Sequence, residues 1–152
     1  MMIPRLPEDA DREPLPESLT RYTGFLVAKA HQRLWTLFGD ECKRLGMDVH
    51  GCGVLHLLEE FGPMSQQQLG RKLRIDRTSM VKMVDALEEK DLACRKDHPE
   101  DRRIYLVEIT TAGRKSLEDI KTLAHVMEQR LLEPFTESEI KVIRRALLTL
   151  AG

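Results

Sequence analysis

The sequence predicts a mainly α-helical chain carrying one small β-hairpin, and three observations support this. Apolar side chains recur at helical spacing through most of the 152 residues. The period changes only near residues 93–97 and 104–109, which are short and rich in strand formers such as Ile104, Tyr105, Val107 and Ile109. Finally, Ser65, Asp76 and Thr136 stand just ahead of periodic segments, where a side-chain oxygen can accept the unpaired amides that open a helix.

Taken in order, residues 1–17 hold Pro4, Pro7, Pro14 and Pro16 among acids, a composition that opposes helix, and they are expected to form a mobile arm. From Ser18 to Leu45, Leu19, Tyr22, Phe25, Leu26, Ala30, Leu34, Leu37, Phe38 and Leu45 mark one face of a single long helix, which Gly46 ends. A shorter helix is expected over Gly51–Glu60 with Val54, Leu55 and Leu58 inward, closed by Phe61-Gly62-Pro63. Ser65-Gln66-Gln67-Gln68 has the form of a capping box, in which serine and glutamine each satisfy an amide of the other, so a helix should run from Gln66 to Leu73. Asp76 caps the next helix, to about Lys90, with Met80, Val84 and Leu87 on its inner side. The hairpin follows, its tip being His98-Pro99-Glu100-Asp101-Arg102-Arg103. Two further helices are expected over Thr111–Leu131 and from the Thr136-Glu137-Ser138-Glu139 capping box onward.

Composition narrows the class. Apolar residues make up 41% and charged residues 32%, ordinary for a globular protein and too apolar for a disordered one. No apolar run is long enough to span a bilayer and the first residues lack the apolar segment of a signal peptide, so a cytoplasmic protein without a membrane partner is expected. Cys42, Cys52 and Cys94 are an odd number at irregular spacing, which opposes a secreted disulfide framework. No phosphate-cradling glycine loop, His-Glu-x-x-His pair or nucleophile elbow is present, so no enzyme and no cofactor is expected.

The net charge of −1 does not announce a polyanion partner, but its distribution is uneven. Between Ser65 and Lys82, Arg71, Lys72, Arg74, Arg77 and Lys82 face the single acid Asp76. Only Arg74-Ile75 separates the Gln66–Leu73 helix from the Asp76 cap, so the two helices must cross steeply. Helix, helix, short helix, tight turn, helix, hairpin is the order of a winged helix-turn-helix. A helix that reads the major groove needs small or hydrogen-bonding residues in its first turns, and Arg77, Thr78, Ser79 and Lys82 supply them. Ser65, Gln66, Arg74 and Asp76 complete the candidate DNA-contacting set on this pair of helices. At the hairpin tip Asp101 can brace a guanidinium, and Arg102 and Arg103 suit the negative potential of a minor groove.

Residues 65–113 resemble the core of the MarR (multiple-antibiotic-resistance regulator) family. The stretches that carry the resemblance are Ser65-Gln66-Gln67-Gln68-Leu69-Gly70, the helix Asp76–Glu88, and His98-Pro99-Glu100-Asp101-Arg102-Arg103 followed by Ile109-Thr110-Thr111-Ala112-Gly113. The resemblance implies a homodimer on a palindromic stretch of double-stranded DNA. Residues 18–48 and 111–152 would form the dimerisation region and residues 49–110 the DNA-binding lobe, with Asp101 holding Arg103 for the minor groove. It also implies a transcriptional repressor responsive to a small aromatic or phenolic effector, for which His31, Trp35 and His56 are candidates. Three positions depart from the family: Gly70 replaces the usual alanine and hints at a close helix crossing, Asp91 replaces glycine, and Lys82 replaces arginine.

Other readings stay open at this level. His31, Trp35 and His56 also suit simple packing. Cys52 and His56, four apart on a helix and with His50 and Cys42 close in sequence, have metal-chelating spacing but no certain third ligand, so no metal site is assigned. A redox- or metal-responsive regulator of the same fold, or a winged protein-interaction module without DNA, are the alternatives.

Overall fold

The computed structural model describes residues 13–101 and 103–152, seven helices and a three-stranded antiparallel sheet. Residues 1–12 of the expected arm, and Arg102, lie outside the described residues. A single turn, α1 (Glu17–Thr20), precedes α2 (Thr23–Arg44), so the expected long helix is interrupted at Arg21-Tyr22. Tyr22 is extended (ψ 111°) and no side chain caps the amides that follow.

The Asp48 carboxylate opens α3 (Val49–Phe61) by accepting from the amides of His50 and Gly51 at 2.8 and 3.0 Å, two residues before the expected start. The Ser65 capping box forms as the sequence predicts: Ser65 Oγ accepts from the Gln68 amide, and the Ser65 amide donates to Gln68 Oε1 at 2.8 Å. It opens α4 (Gln66–Leu73). Asp76 caps α5 (Arg77–Glu89), whose Met80, Val84 and Leu87 are buried as expected.

The hairpin strands are β2 (Ala93–Asp97) and β3 (Tyr105–Ile109). A third strand that the sequence did not suggest, β1 (Met64–Ser65), pairs with the far edge of β3, giving the order β1-β3-β2 with Met64 opposite Val107. The wing is thereby hydrogen-bonded to the entrance of α4. Thr110 caps α6 (Thr111–Leu132) through the Gly113 amide, and its hydroxyl donates to the Asp91 carbonyl at 2.6 Å. Asp91 is left-handed (φ 55°), the conformation expected where the family uses glycine. A Cβ at Gly113 would lie 2.0 Å from the Leu92 carbonyl oxygen, so only glycine admits this close join of α6 to the base of the hairpin. Finally α7 (Glu137–Ala151) opens with the Thr136–Glu139 capping box.

One core holds Val54, Leu55 and Leu58 of α3, Leu69 of α4, Met80, Val84 and Leu87 of α5, Val107 and Ile109 of β3, and Leu117 and Ile120 of α6. From α2 only Cys42 is buried, and from α7 nothing is. No helix among the described residues is long and apolar enough to cross a membrane.

Candidate nucleic-acid interface

The turn between α4 and α5 is tight because Arg74 takes a left-handed conformation (φ 55°, ψ 41°) and the Ile75 amide returns to the Gly70 carbonyl at 2.9 Å. Gly70 suits this turn: a Cβ there would sit 2.9 Å from the Ile75 carbonyl oxygen, so the close approach at Gly70 is to the turn and not to α5. At the head of α5, Asp76 accepts from the Ser79 amide at 2.9 Å and from the Ser79 hydroxyl at 2.6 Å. The Ser79 hydrogen bonds, with the α5 amides behind them, hold the Asp76 carboxyl below the usual carboxylate range. Ser79 is thus engaged with its cap, while Arg77, Thr78 and Lys82 are exposed along the same two turns.

The wing tip is built around Asp101. Its carboxylate accepts from Arg103 Nε and Nη2, both at 3.1 Å, and from the Arg103 amide at 3.0 Å. That forked pair fixes a planar guanidinium whose side chain remains 89% exposed. Arg103 in turn holds the Asp101 carboxyl below its ordinary range, so the brace is charged at neutral pH. His98 Nδ1 accepts from the amides of Glu100 and Asp101, and the Ile104 amide closes the loop on the Asp101 carbonyl.

Between the wing and the helix pair lies a concavity of about 820 Å³ lined by the predicted residues Ser65, Gln66, Arg74, Arg77 and Arg103. Arg71, Gln67 and Tyr105 line it too and were not among the predicted site residues. Arg71 was visible as part of the basic run, and its position one turn after Gln67 on α4 was the signal for including it. Asp76, Thr78, Ser79 and Lys82 lie on the adjoining turns of α5 and do not line the concavity itself. Arg74 reaches back to the chain end, where Nη1 donates to the Ala151 carbonyl and Nη2 to that of Gly152.

Two acids of α5, Asp85 and Glu88, pair with Arg95 of β2, which sequence reasoning did not single out. Arg95 pairs with Glu88 and with Asp85 (2.6 Å), its backbone amide donates to Glu88 Oε1 (2.7 Å), and Nε donates to Gln66 Oε1 (3.1 Å). One guanidinium therefore ties wing, α5 and α4 into a unit. Gln66 is accordingly half occupied as a strut, its Nε2 buried without a hydrogen-bond partner.

The candidate effector residues separate. The rings of His31 and Trp35 lie 5.5 Å apart, and Trp35 and His50 4.8 Å apart. Trp35 and His50, with Thr36, Gly39, Lys43 and Val49, line a cleft of about 250 Å³ between α2 and α3. His56 is exposed on α3 and is not among the lining residues. Cys52, four residues earlier on the same helix, is buried with its sulfur against Cys42, whereas His56 is exposed.

A helix pair joined by a tight turn, with a cationic concavity flanked by a braced arginine on a hairpin, defines a DNA-binding transcriptional regulator on a winged helix-turn-helix. The MarR family sequence pattern matches residues 53–105, and the chain belongs to the MarR family. It is similar to a crystal structure of a probable transcriptional regulator from Pseudomonas aeruginosa, at 31% identity over 87% of this chain and 98% of that one, with a TM-score of 0.80. The transcriptional repressor CouR bound to a 23-mer DNA duplex is 28% identical over 93% of this chain and 100% of that one, with a TM-score of 0.84. CouR from Rhodococcus jostii RHA1 bound to p-coumaroyl-CoA is 26% identical over 90% of this chain and 96% of that one (TM-score 0.78). Among curated proteins, the HTH-type transcriptional regulator MhqR of Bacillus subtilis is 27% identical, covering 80% of this chain and 84% of that protein.

Proposed function

We propose that the chain is a homodimeric repressor, not an enzyme, that binds a palindromic operator and is released or retained by a small aromatic or phenolic effector. The observation that carries this reading is the concavity in which Arg71, Arg74, Arg77 and Arg103 converge beside the exposed first turns of α5. On this reading Arg77, Thr78 and Lys82 of α5 meet base edges or phosphates of a major groove, Ser65, Gln66 and Arg74 flank them, and Arg103, braced by Asp101, enters the neighbouring minor groove, a role proposed for Arg102 as well. Residues 49–110 are the DNA-binding lobe. Residues 18–48 and 111–152 are the dimerisation region, and residues 1–17 an arm attached to it. The dimer reading is supported by the apolar surface these ends leave open, including Leu19, Tyr22, Leu26, Val142, Leu147, Leu148 and Leu150. A two-fold pair sets its recognition helices about 34 Å apart, one turn of duplex.

The effector reading rests on the cleft at Trp35 and His50, with the His31 ring tilted against Trp35, and on the phenolic acyl group of the CouR ligand. A ligand seated between α2 and α3 shifts DNA affinity only if it fits the two spacings of the reading heads unequally.

The test is fluorescence anisotropy with duplexes from the region upstream of its own gene, against scrambled duplexes, at rising salt. A sequence preference that survives salt, with half-sites about ten base pairs apart, is the expected result. Equal affinity for scrambled DNA overturns the reading. Trp35 is the single tryptophan, so its fluorescence reports phenolic acids entering the cleft directly.

A further inference from the structure

Cys42 and Cys52 come from different helices, yet their sulfurs lie 3.6 Å apart in the core. Cys42 is the one fully buried side chain of α2, four residues before Gly46 turns the chain, and Cys52 lies in the second turn of α3. The four-residue turn between the helices wraps the pair: the Met47 amide donates to the Cys42 carbonyl, Met47 Sδ lies 3.8 Å from Cys52 Sγ, and Cys52 Sγ donates to the Asp48 carbonyl at 3.2 Å. Packing does not require two thiols in contact, since an alanine or valine fills such a space as well. A dithiol in contact has a chemistry that one thiol lacks.

We infer that Cys42 and Cys52 are an oxidisable pair that a small hydroperoxide closes into an intramolecular disulfide, stapling α2 to α3 at the turn between them. The two thiols are not equivalent. The contact with Cys52 holds the Cys42 thiol below its ordinary range, while the same contact and burial push the Cys52 thiol up, and the Cys52 S–H is held on the Asp48 carbonyl at 3.2 Å. Cys42 is therefore the attacking sulfur and Cys52 the resolving one. The Cys42 thiolate attacks one peroxide oxygen: an S–O bond forms, the O–O bond breaks, and the departing oxygen leaves as water or alcohol after taking a proton. Cys52 then loses its proton and attacks the Cys42 sulfur. The S–O bond breaks and a second water departs. Two thiols lose two electrons and two protons, and one hydroperoxide is reduced. The sulfurs need to approach by about 1.5 Å to reach a disulfide bond length near 2.05 Å. The product is neutral, which suits an apolar site beside the Asp48 and Glu41 carboxylates better than two thiolates around a metal ion.

Closure ties the helix that carries Trp35 to the first helix of the lobe, so it alters the relation of the lobe to α2. The effect on operator affinity rests on the function proposed above, whereas closure itself does not.

The experiment treats the full chain with hydrogen peroxide, then denatures, alkylates and digests it without reduction. Two of the three thiols should be lost, the intact mass should fall by two hydrogens, and a peptide linking Cys42 to Cys52 should appear, all reversed by dithiothreitol. Cys94→Ser should behave like the parent protein. In Cys52→Ala, oxidation should stop at a sulfenic acid on Cys42 that dimedone captures; if that variant does not fold, the cross-linked peptide of the parent protein still decides. Oxidation confined to Cys94, a cross-link between two chains, or a reduced pair that holds one cuprous ion and resists peroxide would each overturn the inference. Once the cross-link is established, operator affinity should change by about 5- to 150-fold between reduced and closed forms, and an unchanged affinity refutes the coupling. Failure of both forms to bind operator refutes the proposed function and leaves the disulfide standing.

Discussion

The lobe from α3 to β3 and the two ends of the chain are made from similar proportions of apolar residues, yet they bury them very differently. In the lobe, Val54, Leu55, Leu69, Met80, Val84 and Val107 are at most 1% exposed. In α7, Leu148 is 74% and Leu150 67% exposed, and no residue of that helix is buried. Both regions carry the helical period, so periodicity alone does not say where an apolar face goes. The lobe closes its core around a three-stranded sheet with Leu117 and Ile120 from the start of α6, whereas α7 and much of α2 present an apolar face that the described residues of one chain do not cover. A region whose apolar face is finished sets the stability of the chain, and the region whose face is unfinished is the one proposed above to dimerise.

Substitutions that tell the two regions apart follow from this contrast. The largest effect is expected at Leu58, 1% exposed at the centre of α3: Leu58→Ala should cost about 2–5 kcal/mol in denaturant unfolding by leaving a cavity, at any protein concentration. Leu148→Asp should leave the unfolding of the lobe nearly unchanged and weaken self-association instead. A leucine buried at an interface contributes about 1.5–3 kcal/mol and a two-fold axis counts it twice, so the dimer constant should fall by well over tenfold in sedimentation equilibrium. A monomer of undiminished DNA affinity, or a parent chain that never dimerises, would contradict the role given to α7.

Within the lobe, the braced arginine and the core separate in the same way. Arg103→Ala should reduce operator affinity about ten- to a hundredfold with little change in melting, because its side chain is 89% exposed. Asp101→Ala should lower affinity less, since it frees the guanidinium without removing it. If affinity for operator and scrambled duplex falls equally in Arg103→Ala, the residue contacts phosphate and does not read groove shape.

How legible each region was depends on how local its signals are. The capping boxes at Ser65 and Thr136, the Asp76 cap and the inward Met80, Val84 and Leu87 are written within four residues of one another, and all of them stand in the structure. So is the Asp101–Arg103 brace, whose partners are two residues apart. The Arg95 hub was not legible, because its partners are 7, 10 and 29 residues away and any exposed arginine on a strand looks the same in sequence. Strand β1 is two residues long, too short for a period, and exists because β3 offers an edge at Met64. The Trp35–His50 contact depends on how α2 crosses α3, which spacing along either helix does not encode. The break at Arg21-Tyr22 falls on neither a glycine nor a proline, and Gly24 two residues on lies inside α2, so neither marks its position.

Smaller effects sharpen the account of the lobe's joints. Thr110→Ala removes the α6 cap and the hydroxyl bond to Asp91 together, and should cost about 0.5–2 kcal/mol, measured by chemical denaturation. Gly113 shows that the backbone at this joint has no room to adjust, so the loss should not be recovered by relaxation.

The smallest expected effect concerns the charge at the head of α5. Asparagine caps about as well as aspartate, so Asp76→Asn should keep the helix and change stability at neutral pH only by what the charge contributes through the helix dipole and the Ser79 hydrogen bonds. The folded pKa of Asp76 lies below the ordinary carboxylate value, chiefly through Ser79. A carboxylate depressed on folding stabilises the protein fully above its unfolded pKa of about 3.9. That contribution is lost as pH falls through the folded value. The parent protein should therefore exceed Asp76→Asn in stability at pH 7, and the two unfolding curves should converge as the pH is lowered below about 4. A gap that persists undiminished in acid would show that the carboxylate acts by shape alone, and that the positive end of α5 is left for a phosphate to satisfy.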